Sequence, residues 1–260
     1  MDIPPTKKSL GQHWLHDEAS LLAMCEAARL QEDDVVLEIG PGPGTLTQLL
    51  AEGANQVIAV EFDEKLAREL PGRVKVSNLK VINEDILRYD FSQLPAGYKV
   101  IANIPYYLTS HLIRRLSETQ SPPQIAVLLL QKEVAERVAA KPGDMSLLSV
   151  TAQYYWRVRL DRQVPAHLFT PPPKVDSQIL VMERLQEPPF PDVDTKAFFR
   201  LVKAGFAQRR KTLLNSLSAG LQSDRETVSH MCDQAGINPA RRAQTLSLDE
   251  WHALYQAHDT

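Results

Sequence analysis

Short apolar runs alternate with stretches of helical spacing through the first half of the chain. The runs are Asp34-Val35-Val36-Leu37-Glu38-Ile39, Gln56-Val57-Ile58-Ala59-Val60, Leu79-Lys80-Val81-Ile82-Asn83, Lys99-Val100-Ile101-Ala102, and Gln124 to Leu130. Runs of this length, rich in Val and Ile, are strands buried on both faces, and helices between them imply a parallel sheet. The expected helices run from the N-cap Asp17 to about Leu30, from Thr45 to Glu52, onward from Asp63-Glu64-Lys65, and from Thr109 to Glu118. Another, Gln131 to Val138, is stopped by Lys141-Pro142-Gly143. Leu147 to Trp156 and Val175 to Met182 read as two further strands, the pair that finishes such a sheet antiparallel at its edge. The fold class is α/β.

The pattern changes at Glu187-Pro188-Pro189-Phe190-Pro191-Asp192, which is proline-rich, acidic and without period. This is the expected boundary between a domain of residues 1–186 and a smaller one of residues 187–260. Beyond it, Phe198, Phe199, Leu201, Val202, Phe206, Leu213, Leu214 and Leu217 give an apolar helical face, and Leu248 to Ala257 reads as a last helix. From Lys196 to Leu217 there are six basic residues and no acidic one, although the whole chain carries a formal charge of −3. That concentration, which includes Arg209, Arg210 and Lys211, reads as a contact with a nucleic-acid backbone.

Composition narrows the class. With 260 residues and 43% hydrophobic content, the chain can bury a large core and is not disordered. No run of 18 apolar residues reads as a membrane span, and Met1 to Leu10 lacks the apolar region of a signal peptide. Cys25 and Cys232 form no metal spacing and read as reduced thiols, which points to the cytoplasm.

The chemistry gathers where strands end. Gly40-Pro41-Gly42-Pro43-Gly44 follows the first strand directly and opens a helix, the layout of a nucleotide-binding turn. The spacing G-x-G-x-G is not the dinucleotide G-x-G-x-x-G, and no hydride-transfer constellation accompanies it, so an NAD-dependent enzyme is disfavoured. Glu61 ends the next strand, where an acid accepts from ribose hydroxyls. Asp85-Ile86 ends the third: an acid to accept from a purine amino group, an apolar residue to cover the ring. The fourth ends in Asn103-Ile104-Pro105-Tyr106-Tyr107. Proline stiffens this corner and holds its predecessor extended, so an amide and an aromatic ring are presented together. That suits a planar base with an exocyclic amino group. Tyr107 has no such role in this reading and is expected in the core. Four polar or glycine features in phase at the C-terminal ends of successive strands mark a ligand crevice.

These motifs, taken in order, resemble the KsgA/RsmA family of small-subunit ribosomal RNA adenine dimethyltransferases. The match runs nearly the whole length. It includes Ser9 to Leu15, Leu37 to Gly44, Val60-Glu61, Glu84-Asp85-Ile86, Asn103 to Tyr106, Leu130 to Arg137, Phe169 to Ser177 and Phe206 to Leu213. The resemblance implies a Rossmann-like, seven-stranded S-adenosylmethionine-dependent methyltransferase domain with a small C-terminal all-helical domain that binds RNA. It implies dimethylation of the N6 amino groups of two adjacent adenines in the 3'-terminal hairpin loop of 16S ribosomal RNA. The substrate would be an immature 30S particle and the enzyme a monomer, with no metal and no membrane partner.

Carried over residue by residue, the cofactor site is His13, Leu15, Gly40, Gly42, Glu61, Asp85 and Asn103, with Glu38 as a close neighbour. Asn103 and Tyr106 would be catalytic. Pro105, Tyr106 and Phe169 would hold the base, with Phe169 projected by the loop Pro171-Pro172-Pro173. Arg209, Arg210 and Lys211 would meet the RNA backbone. The arm departs from the family at His13-Trp14, where Asn-Phe is usual. Two relatives stay in view: large-subunit adenine methyltransferases of the macrolide-resistance type, and non-catalytic nucleic-acid-binding members. The long Phe169 to Ser177 loop and the Phe206 to Leu213 motif favour the small-subunit enzyme, and intact Gly40, Glu61, Asp85 and Asn103 favour catalysis.

Overall fold

The computed structural model describes residues 4, 6–7 and 10–258; Ser9, the first residue of the arm motif, lies outside them, as does the ring of Tyr106. The chain divides into two compact units. The first, residues 1–136 and 156–184, contains the seven-stranded sheet. Its strands are β2 (Val35–Ile39), β3 (Gln56–Glu61), β4 (Leu79–Asn83), β5 (Lys99–Asn103), β6 (Ile125–Gln131), β7 (Trp156–Val164) and β9 (Ser177–Arg184). Their order across the sheet is β4-β3-β2-β5-β6-β9-β7. The first five are parallel, while β9 runs antiparallel to both its neighbours. The five apolar runs are thus the five parallel strands. β6 is buried throughout from Ile125 to Leu130 because it lies inside the sheet.

The strand order reverses between β2 and β5: the chain builds outward through β3 and β4, then returns to add β5 and β6 on the other side. An open α/β sheet has its crevice at such a switch point, outside the carboxyl ends of the strands. The helices α1 (Glu18–Ala27), α2 (Thr45–Gly53), α3 (Glu64–Arg73), α4 (Thr109–Glu118) and α5 (Lys132–Val138) alternate with the strands. Asp17 caps α1 by accepting from Ser20 N–H, and Asp63 caps α3 by accepting from the N–H groups of Lys65 and Leu66. The sheet's exposed edge, β7, carries Arg157, Arg159, Asp161 and Arg162, charges that discourage a further strand from pairing there.

Two sequence expectations are corrected. Leu147–Tyr155 is a helix, α6, and the edge strand begins only at Trp156. Ser146 and Ser149 cap the start of α6 reciprocally, each hydroxyl accepting from the other's backbone N–H. Val150 and Tyr154 then pack into a helical core, which overrides the strand preference of a β-branched, aromatic run. For the same reason residues 137–155 belong to the second unit, with residues 185–260, instead of to the domain that carries the sheet. The arm also contains a short strand, β1 (Trp14–Leu15), antiparallel to β8 (Phe169–Thr170). Two residues are too few for any alternation to be visible in sequence.

The second unit is helical: α6, α7 (Thr195–Phe206), α8 (Leu213–Leu221), α9 (Arg225–Gln234) and α10 (Leu248–His258). Tyr154 anchors its aromatic core, with ring centroids 5.2 Å from both Phe198 and Phe199. α7 ends at Phe206, so Arg209, Arg210 and Lys211 stand exposed in the turn before α8 instead of on a continuous helix. Gly205 and three consecutive cations weaken the helix there, and Thr212 starts the next one. No helix among the described residues is long and apolar enough to cross a membrane. Cys25 and Cys232 are buried free thiols.

The first unit buries one ion pair well away from the crevice. Lys99 Nζ lies 2.6 Å from Asp34 Oδ2 and donates to Arg29 O at 2.7 Å, with both side chains at most 10% exposed. Removing one partner of a buried pair costs about 3–5 kcal/mol, because the other charge is left without compensation. Lys99→Met is therefore expected to lower unfolding stability by that amount, measured as a shift of the urea midpoint at constant slope.

Candidate active site

A cavity of about 290 Å³ opens at the switch point, and its lining comes from four strand ends and the arm. Gly40 follows β2, Glu61 and Phe62 end β3, Asp85 and Ile86 follow β4, and Asn103, Ile104 and Pro105 end β5. His13 and Trp14 cover it from the arm. Of the expected cofactor residues, the structure brings His13, Gly40, Glu61, Asp85 and Asn103 to this one cavity. Gly42 and Leu15 lie beneath it. Gly42 supports the Trp14 ring, which a Cβ at that position would meet at 2.5 Å. Leu15 is buried in the core, and its carbonyl accepts from the Thr45 hydroxyl.

Glu61 holds the glycine turn. Its Oε2 accepts from Gly42 N–H (3.1 Å) and its Oε1 from Asp63 N–H (2.8 Å). Gly40, Gly42 and Gly44 all have positive φ, which L side chains adopt only with strain. At Gly40 an added Cβ would meet no protein atom within 4 Å, so the space beside this backbone belongs to the cavity. Burial raises the Glu61 carboxyl above the ordinary carboxylate range, although the N–H groups of Asp63 and Gly42 pull it back. Asp85 uses Oδ1 to accept from Leu87 N–H, and Oδ2 has no protein partner among the described residues. Ile86 beside it is buried.

At the corner, Asn103 Nδ2 donates to His13 O at 3.3 Å. This turns the amide so that Oδ1 is its accepting atom. The His13 ring reaches the other way and donates from Nδ1 to Pro171 O at 2.7 Å. Trp14 Nε1 donates to Pro4 O, and Lys7 pairs with Asp63 at 2.6 Å. Arm, triproline loop and Asn103 corner are thereby linked by hydrogen bonds.

Two aromatic expectations change. Phe169 does not project: at 3% exposure it packs in the main core, opposite Leu15 in the β1–β8 ladder. Strand pairing with the arm draws it inward, and the three prolines stiffen only the residues on its C-terminal side. Tyr107 is not core: it is 59% exposed and lines the cavity. The single 3₁₀ turn from Tyr106 to Leu108, closed by Leu108 N–H to Pro105 O, swings it outward. Partial burial, then the charges of Asp85 and Glu61, raise its phenol, as expected of a ring facing those carboxylates. Phe62, 60% exposed, is a lining residue that sequence reasoning missed. Its signal was available: an aromatic directly after the acid at a strand end. Among the described residues no three His, Cys, Asp or Glu gather as a metal site.

The arrangement offers a glycine cradle, two carboxylates for hydroxyl and amino groups, and an amide acceptor at a rigid corner. Comparison with known proteins is consistent with it. Residues 5–259 match the family model described as ribosomal RNA adenine dimethylase. The ribosomal RNA small subunit methyltransferase A of Dehalococcoides mccartyi (strain ATCC BAA-2266 / KCTC 15142 / 195) is 42% identical over 95% of this chain and 87% of its own. That of Alkaliphilus metalliredigens (strain QYMF) is 42% identical over 95% and 90%. Among solved structures, a dimethyladenosine transferase from Plasmodium falciparum superposes with a TM-score of 0.77 at 27% identity, covering 92% of this chain and 95% of its own. The 23S rRNA methyltransferase ErmE gives 0.74 at 28%, covering 95% and 100%. With its sheet, its crevice and these likenesses together, the chain belongs to the ribosomal RNA adenine dimethylase family.

Proposed function

We propose that this protein transfers methyl groups from S-adenosylmethionine to the N6 amino groups of two adjacent adenines in the 3'-terminal hairpin loop of 16S ribosomal RNA. It acts in the cytoplasm, as a monomer, on an immature small-subunit particle. The observation that carries the reading is the meeting, in one cavity, of Gly40, Glu61 and Asp85 with the Asn103-Ile104-Pro105 corner. The relatives that are 42% identical bear the name of small-subunit enzymes, which favours this substrate over large-subunit RNA.

Gly40 and Glu61 would hold the sugar side of the cofactor, and Asp85 Oδ2 its adenine amino group, with Ile86 and Phe62 against the ring. The cofactor supplies an electrophilic methyl group on a sulfonium. The remaining work falls to the corner. An adenine amino nitrogen is a poor nucleophile because its lone pair is delocalised into the ring. Asn103 Oδ1 accepts one of its N–H bonds and a neighbouring carbonyl the other, so the lone pair turns out of the ring plane. Pro105 O already accepts from Leu108 N–H, which leaves Ile104 O the freer of the two neighbouring carbonyls to serve as the second acceptor. These are fixed dipoles aimed at developing charge, with position doing the rest. Stacking of the base falls to Tyr106 and to the exposed ring of Tyr107, each stacking contact worth about 1–3 kcal/mol. That offsets the few kcal/mol needed to splay the base out. The Arg209-Arg210-Lys211 turn would grip RNA phosphates.

Incubating the protein and labelled cofactor with undermethylated small subunits, then mapping methylated adenines by mass, tests the reading. Two adjacent dimethyladenines near the 3' end are expected; label confined to naked large-subunit RNA would overturn it. Asn103→Ala is expected to lose about a hundredfold or more in turnover, as when one preorganised dipole is removed, while RNA affinity hardly changes. Unchanged turnover would remove Asn103 from the mechanism. Charge reversal at Arg209 and Arg210 should weaken RNA binding and lower its salt dependence by about one log-log unit for each phosphate no longer neutralised.

A further inference from the structure

Beneath the crevice, the middle strand buries a carboxyl that the mechanism does not use. Glu38, on β2, is 1% exposed. Its Oε2 has no hydrogen-bond partner, and neither does the buried hydroxyl of Thr47 on α2. Its register neighbours, Ala59 on β3 and Ile101 on β5, are apolar. Glu38 borders a second cavity of about 30 Å³, roughly the share of liquid volume of one water molecule. That small cavity shares Trp14, Gly40 and Asn103 with the large one. The carboxyl therefore faces a polar-walled space at the back of the cofactor site, and Asn103 stands between the two cavities.

The charges around Glu38 are of one sign. Glu61 faces it from β3, and Cys25 lies near it on α1 as a thiol pushed up to about 11 by burial and then by Glu38 and Glu26. Glu38 makes no ion pair with a cation among the described residues. An isolated carboxylate in such surroundings takes up a proton instead of staying charged.

We propose that Glu38 is a proton-exchanging positioning residue of the cofactor site: neutral in the free protein, it ionises and releases its proton when the cationic cofactor occupies the adjoining cavity. The inference rests on the reading that the large cavity holds S-adenosylmethionine. The physical cause is direct. Positive charge brought beside a carboxyl in low dielectric favours its ionised form. The ionised form can accept from the Thr47 hydroxyl, which has no partner in the free protein, and this would tighten the back wall against Gly40 and Asn103. Burial already pushes the free carboxyl up to about 8, and the charge of Glu61 raises it further. At pH 7 such a group is about nine-tenths protonated, so up to about 0.9 proton is available for release.

The sign of the pH dependence is set by that release. Binding that releases protons strengthens as pH rises. Affinity should therefore climb up to tenfold per pH unit below about 8 and level off above it. The cofactor's own α-amino group titrates in the same range, so the informative quantity is the difference between wild type and Glu38→Gln, an isostere of the neutral acid. Calorimetric titration with S-adenosylmethionine at pH 7, in buffers of low and high ionisation enthalpy, counts the protons directly. Wild type is expected to release about 0.5–1 proton more than E38Q, close to the fraction held at that pH, and the excess should vanish above about pH 9. Equal proton counts in the two proteins overturn the inference while leaving the cofactor site intact. Absence of binding to wild type overturns the site reading and this inference with it. Should E38Q prove unstable, the wild-type series from pH 6 to 9 decides alone: a midpoint near 8 in excess of the cofactor's own titration supports the proposal, and its absence overturns it.

Discussion

The contact on which the site depends is the grip of the Glu61 carboxylate on the Gly42 N–H. It ties the end of β3 to the turn after β2, at the middle one of three left-handed glycines. The arm is positioned from that turn. Trp14 rests on Gly42, and the arm that carries Trp14 brings the His13 carbonyl to Asn103. A chain of named contacts therefore runs from a buried carboxylate to the Asn103 amide at the end of β5. It works because β2 lies at the centre of the parallel sheet, where its backbone is paired on both sides. Rigid elements hold polar groups more precisely than loops can.

Burial decides how much of this was legible in the sequence. The five parallel strands were readable because burial on both faces leaves continuous apolar runs, and the strand-end residues because each comes directly after such a run. Glu61, Asp85 and Asn103 therefore fell into one crevice without any knowledge of contacts. The misreadings share a different cause. Leu147–Tyr155 carries a strand-like composition, and its helix depends on packing against residues far along the chain, Phe198 and Phe199 among them. The β1–β8 pairing joins residues more than 150 positions apart through only two residues per strand. The placement of Phe169 is set by that pairing and not by its own neighbourhood. Tyr107 was misassigned because the residue after an aromatic corner has no periodicity to read.

The arm also shows how a departure from family sequence can keep a function by different contacts. Where an amide is usual, His13 offers a ring nitrogen that reaches Pro171, while its backbone carbonyl still receives Asn103. The backbone contact does not depend on the side chain, so the substitution leaves the orientation of the Asn103 amide alone. Trp14, larger than phenylalanine, uses its extra N–H to hold Pro4. Both side chains make hydrogen bonds that bind the arm down over the crevice.

Two buried carboxyls at adjacent strand ends, Glu38 and Glu61, oppose folding. Each is desolvated, and the charge of Glu61 raises the cost of ionising Glu38. A structure selected for stability alone would replace Glu38 with an apolar residue of similar volume, since a lone buried acid with an unpaired oxygen contributes nothing to the sheet. Its position argues against that view of the sheet. Glu38 sits one residue before Ile39 and two before Gly40, on the strand whose end leads into the glycine turn, and it borders a cavity that shares walls with the crevice. Local violations of good packing concentrate where a protein binds something, and the rest of the fold supports them. The same rule accounts for Phe62 and Tyr107, large rings left exposed at the crevice beside Glu61 and Asp85. Buried acid below and bare aromatic surface above are both unfavourable in the free protein. A flat, cationic, adenosine-bearing ligand in the crevice would relieve both at once, which would account for these two kinds of strain in one place.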